Sequence, residues 1–99
     1  MNRFEDIRRW AEDRNLVMGS NPQAQFVKLM EEIGELAAGI AKKRDLVVMD
    51  GIGDAIVVLT IIAAQYHTTP EICMEMAWAE IKDRKGKMID GVFVKESDL

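Results

Sequence analysis

The chain has 99 residues, 48% of them apolar and 30% charged, which is the composition of an ordinary globular domain, and its length allows a single domain spanning 1-99. A chain this short buries only a modest core alone, so an oligomer that completes the core is expected. The net charge of −4 excludes a general attraction to nucleic acid, and the single cysteine, Cys73, excludes an intrachain disulfide.

One cysteine among apolar neighbours reads as a packed thiol and suits a reduced, cytoplasmic setting. The opening residues, MNRFEDIRRW, carry no apolar signal region. The unbroken apolar run from Ala55 to Ala64 falls well short of the ~20 residues that cross a bilayer, so no membrane association is expected and the run reads as a core helix.

The first predicted helix covers about 2-14. Phe4, Ile7, Trp10 and Ala11 share one face, and Asn2 stands at the cap with Glu5 three residues on. The stretch NLVMGSN interrupts it. A second helix, about 22-43, starts at Pro22 behind a capping Asn21, and Phe26, Leu29, Met30, Ile33, Leu36, Ala37 and Ile40 recur at helical spacing. A turn near Arg44 and Asp45 leads to a third helix, about 46-66. Its middle is apolar all round, which predicts a central position with neighbours on every side. A fourth helix, about 70-85, starts at Pro70 behind Thr69 and is expected to end at Gly86. The tail holds a short extended piece, VFV. The fold class is all-α, an antiparallel four-helix-bundle-like protomer completed by oligomerisation.

Acids gather at two places. Glu31, Glu32 and Glu35 lie at three- and four-residue spacings on the second helix, and Asp50 and Asp54 lie four apart on the third. If the hairpin turns near Arg44, Glu35 and Asp54 stand at matching heights on facing helices. Carboxylates crowded there cannot all remain ionised without a counter-charge. They must protonate, pair with Lys or Arg, or bind a divalent cation, and an all-oxygen site suits Mg²⁺ or Mn²⁺. Gly34, Gly51 and Gly53 sit among these acids, where they either leave room for metal and phosphate or let the helices approach closely.

EEIGE (31-35) followed by DGIGD (50-54) resembles the paired motif of the MazG-like, all-α nucleoside triphosphate pyrophosphohydrolases, and of their compact phage-type members. The likeness runs from about Phe26 to Lys95 and includes KLMEEIGELAAGIAKK and IKDRKGKMIDGVFVK. The first motif, Glu-Glu-x-x-Glu, is matched at Glu31, Glu32 and Glu35. The second, Glu-x-x-Asp, is matched at Asp54, but Gly51 stands in place of its glutamate, and Asp50 is the nearest acid.

The resemblance implies Mg²⁺-dependent hydrolysis of a nucleoside triphosphate to monophosphate and pyrophosphate by a homodimer or homotetramer. On this pattern Glu31, Glu35 and Asp54 ligate metal, with Asp50 as a ligand or holding a bound water, and Glu32 is the general base. Lys28, Lys82, Arg84, Lys85 and Lys87 are the candidate phosphate clamp. The cluster at the fourth helix's end also has a plainer role, because cations there complement the helix dipole. Trp10, Trp78 and Phe93 are candidates for stacking on a base or for core and interface packing. The lone His67 reads as a surface or capping residue. Three alternatives stay open: phosphoribosyl-ATP hydrolysis on the same frame, a nucleotide- or metal-binding protein weakened at Gly51, and a helical oligomer whose acids are only a solvated face.

Overall fold

Three of the four α-helices begin at a side-chain cap in the computed structural model, which describes residues 2–99. Asn2 Oδ1 accepts from the Phe4 N–H at 3.0 Å and opens α1 (Arg3–Asp13). Asn21 Oδ1 accepts from Ala24 at 2.7 Å and opens α2 (Pro22–Ala41). Thr69 Oγ1 accepts from Ile72 at 3.2 Å and opens α4 (Pro70–Ile81). Only α3 (Asp45–Gln65) starts without one, directly after the tight connection from α2.

Helices α1, α2 and α3 end in the same way. Residues Asn15, Lys43 and His67 each take a left-handed backbone, with φ of 57°, 55° and 58°. The following N–H groups of Leu16, Arg44 and Thr68 then reach back to the carbonyls of Ala11, Gly39 and Ala63 at 2.9, 2.9 and 3.0 Å. This doubly bonded terminus satisfies carbonyls that would otherwise lack partners. None of the three left-handed residues is glycine, and the helices end one or two residues before the expected 14, 43 and 66.

The chain is mostly helical. Helices α2 and α3 form an antiparallel hairpin, the most extensive contact in the molecule, and α1 packs on α3. Helix α4 touches only part of α3 and buries none of its residues. The protomer core is correspondingly small: Ala11, Leu29, Val58, Ile61 and Ala63.

Several sequence expectations change here. Helix α4 stops at Ile81, not near Lys85, and Gly86 begins a strand instead of ending a helix. The strand β1 (Gly86–Ile89) pairs antiparallel with β2 (Val92–Lys95), Met88 opposite Phe93. The connecting Asp90–Gly91 has positive φ at both positions, the geometry of a two-residue hairpin turn. Trp10 is not in the core, and Arg14 lies over its ring at 4.5 Å. Trp78 and Cys73 are exposed. Helix α3 does not have neighbours on every side, because Leu46, Met49, Ile52, Ile56 and Leu59 stay exposed.

Helix α3 is also longer in apolar terms than the run from Ala55 to Ala64 indicates. Among the described residues it is the one helix long and apolar enough to cross a membrane, with a mean hydropathy of 2.2. It nevertheless carries Asp45, Asp50 and Asp54, the last of them beside Glu32 and Glu35 of α2.

Candidate metal centre

Glycines set how closely the hairpin closes. A methyl group on Gly39 would meet Val47 Cγ1 at 2.9 Å, and one on Gly51 would meet Leu36 Cβ and Cα at 3.2 and 3.3 Å. At these two positions the backbones of α2 and α3 come close together. A methyl group on Gly34 or Gly53 would meet nothing within 4 Å, so these two leave open space beside the acids. Close approach of the helices is thus the role of Gly39 and Gly51, while Gly34 and Gly53 border open space. Gly51 sits against the α2 backbone, so a glutamate there would have to push the helices apart.

With the helices held this close, Glu32, Glu35 and Asp54 each bring a carboxylate oxygen within 4.8 Å of the others. Glu32 is buried, at 6% exposure, Asp54 is half-buried and Glu35 is exposed. The Lys28 ammonium lies 3.2 Å from Glu32 Oε1 and 3.7 Å from Glu31 Oε2. Glu32 Oε2 is buried and has no hydrogen-bond partner. A buried carboxylate oxygen without a donor is costly, and a cation is the partner that its charge calls for.

The electrostatics agree with the geometry. Burial raises the proton affinity of Asp54 above that of an ordinary carboxylate, and the nearby charges of Asp50 and Glu32 raise it further. Lys28 is shifted upward too, chiefly by its hydrogen bond to Glu32 and the charges of Glu32 and Glu31. One lysine thus faces a group of acids with excess negative charge. Three oxygen donors at this spacing fit a hard divalent ion such as Mg²⁺ or Mn²⁺.

The structure groups Glu32, not Glu31, with Glu35 and Asp54. Glu31 is 62% exposed in its side chain and turns to Lys28. Asp50 stays close enough to Asp54 to influence it but lies outside the group of three. Lys82, Arg84 and Lys85 follow the end of α4, on the segment leading into the β-hairpin, and Lys87 lies in β1 opposite Val94. Arg84 pairs with Glu80 at 3.8 Å, and among the described residues no ion pair joins these four to the acids within one protomer.

A larger cleft, of about 700 Å³, lies between α1, the end of α3 and the start of α4. Phe4, Arg8, Glu12, Thr60, His67 and Thr69 line it, and it includes none of the acidic residues above. Its carboxylates each have a partner: Arg8 pairs with Glu5 and Glu12 at 3.7 and 3.2 Å, and Glu71 accepts from Asn2 Nδ2 at 2.7 Å. Among the described residues it therefore holds no buried, unpartnered carboxylate oxygen of the kind that Glu32 Oε2 is.

The chain is 56% identical over 64 residues to a protein of Haemophilus phage HP1, described as an uncharacterized 18.2 kDa protein in the rep–hol intergenic region. The match covers 65% of this chain and 39% of that relative. No family model matches the chain, and no solved structure matches it.

Proposed function

We propose that the protein is a Mg²⁺-dependent nucleoside triphosphate pyrophosphohydrolase that converts a nucleoside triphosphate and water to the monophosphate and pyrophosphate. The observation that carries this reading is the buried, unpartnered carboxylate oxygen of Glu32 beside Glu35 and Asp54, on the two motifs that resemble the MazG-like enzymes. Glu32, Glu35 and Asp54 hold the ion, and Glu32 becomes a ligand in place of the base expected from the sequence. Bound there, a divalent ion neutralises phosphate charge and lowers the pKa of a coordinated water. Glu31 and Asp50 flank the three ligands, where each can hold a water by hydrogen bonding. Lys28, already poised between Glu31 and Glu32, is the nearest cation for a phosphate oxygen.

A second reading, a binding protein with slow turnover, is favoured by Gly51. The glutamate that the motif would place there is absent, and its space is filled by Leu36. That leaves the acids fewer by one and lowers the charge available for a second ion.

Product analysis separates these readings. The purified protein is incubated with ribo- and deoxyribonucleoside triphosphates and with phosphoribosyl-ATP, in Mg²⁺ or chelator, beside Glu32→Gln and Asp54→Asn. Monophosphate with pyrophosphate, lost with chelator and in both variants, is the expected result. Diphosphate with phosphate would overturn the assignment. Turnover of phosphoribosyl-ATP alone would narrow the substrate. Mg²⁺-dependent nucleotide binding without turnover would establish the second reading.

A further inference from the structure

Lys28 and Glu32 lie four residues apart on one face of α2, so helical spacing alone brings the ammonium to the carboxylate. Lys28 Nζ stands 3.2 Å from Glu32 Oε1. Glu32 Oε2 is buried and has no partner. The two oxygens of one carboxylate are thus in different states: a cation of the chain already engages one, and the other is free. Burial holds this difference in place, because the Glu32 side chain is only 8% exposed and has little room to turn. Glu31 meets the same ammonium at 3.7 Å from the exposed surface of α2. It therefore helps to keep Lys28 in position without itself entering the group of Glu32, Glu35 and Asp54. Packing does not limit the size of an ion here, since Gly34 and Gly53 border open space. Any preference among ions has to come from the oxygens on offer.

We propose that Lys28 sets the ion specificity of the acidic group: by engaging Glu32 Oε1 it leaves this buried ligand a single oxygen to give, which favours Mg²⁺ over Ca²⁺. The inference rests on the metal reading above and deepens it. The two ions ask different things of a carboxylate. Mg²⁺ is small, demands a near-octahedral shell and is usually held by one or two carboxylates together with water and phosphate. Ca²⁺ takes roughly six to eight oxygens in a looser shell and commonly uses both oxygens of one carboxylate. A carboxylate with one oxygen already engaged meets the first demand and fails the second. Partners that orient a ligand from behind are a general means of tuning a metal site. An ammonium has three N–H donors, so contacts with Glu32 and Glu31 leave one for a phosphate oxygen. Holding Glu32 and meeting a phosphate chain are therefore compatible tasks for one lysine. The positive charge of Lys28 by itself opposes both divalent ions alike. The preference between them thus isolates the effect of the held oxygen from the effect of charge.

Ion-dependent melting tests this with the ions alone and no nucleotide. Wild type, Lys28→Met and Lys28→Arg are melted in chelator and then across a range of MgCl₂ or CaCl₂, and the rise in melting temperature gives the affinity for each ion. The Lys28 side chain is 54% exposed, so both variants should fold, and the melts in chelator check that. Lys28→Gln serves the same comparison if Lys28→Met does not fold. Wild type should bind Mg²⁺ more tightly than Ca²⁺. In Lys28→Met the ratio of the two affinities should move toward Ca²⁺ by about tenfold or more, the usual size of effect for a residue that orients a ligand. Lys28→Arg keeps a donor for Oε1 and should keep the wild-type ratio. An equal change for both ions in Lys28→Met would overturn the proposal, because charge alone would then account for Lys28. Tighter binding of Ca²⁺ than of Mg²⁺ by wild type would overturn it as well. If neither ion stabilises wild type, the metal reading falls and this inference falls with it. An unchanged ratio at a working metal centre overturns the inference alone.

Discussion

Asp54 is the residue whose behaviour most directly reports on the acidic group. Burial, Asp50 and Glu32 all favour its protonated form. The folded protein therefore keeps this proton to higher pH than the unfolded chain does, and the native state binds more protons in that interval. The contribution is fully present below the ordinary carboxylate pKa of 3.8 and is lost as pH rises through the higher folded value. Without metal, Asp54→Asn should accordingly melt at a higher temperature than wild type at neutral pH, with the gap closing in acid. Thermal melts of both proteins in chelator across pH check this. Mg²⁺ should reverse the order, because ion binding to the folded state alone stabilises by about 2.7 kcal/mol at a hundredfold excess over its Kd. That gain should be absent in Asp54→Asn and in Glu32→Gln, where the buried oxygen loses its negative charge.

At the scale of elements, the glycines of the hairpin separate into two kinds with opposite expected effects. Gly34→Ala adds a methyl group in open space and should stabilise by up to about 1 kcal/mol through helix propensity. Gly39→Ala puts its methyl group against Val47 and should destabilise by about 1–3 kcal/mol, the usual range for overpacking. Urea titration of the two variants measures both. The caps offer a similar comparison. Asn21→Ala removes the acceptor for the Ala24 N–H and should cost about 0.5–2 kcal/mol in the same experiment. Because α2 carries Glu32 and Glu35, loosening either its cap or its contact with α3 should also weaken Mg²⁺-dependent stabilisation.

The whole molecule is too open to be a finished core. Five buried apolar residues hold the protomer, while most of the large apolar side chains of α2, α3 and α4 remain outside. If a second copy covers the hairpin, folding and association are coupled, and the melting temperature should rise with protein concentration. Calorimetry over a wide range of concentration checks this, and a constant melting temperature would mean that the protomer is stable alone.

The sequence by itself determined where α2 and α4 begin and that Glu35 and Asp54 stand at one height. Asn21–Pro22 and Thr69–Pro70 mark their starts through chemistry local to a few residues, and the matching heights of Glu35 and Asp54, one residue apart in their distance from the hairpin turn, follow from helical rise. The Asp90–Gly91 turn was equally legible as a hairpin signal between Met88–Ile89 and Val92–Val94, although VFV alone was expected to be extended. Only the tertiary structure decided that Glu32 and not Glu31 joins the group, that Gly51 is sealed by Leu36, and that α3 has a bare side. Each of these depends on the rotation of one helix about its axis relative to another. A periodic pattern in a helix apolar all round leaves that rotation undefined, and it is fixed where Gly39 and Gly51 allow two backbones to approach.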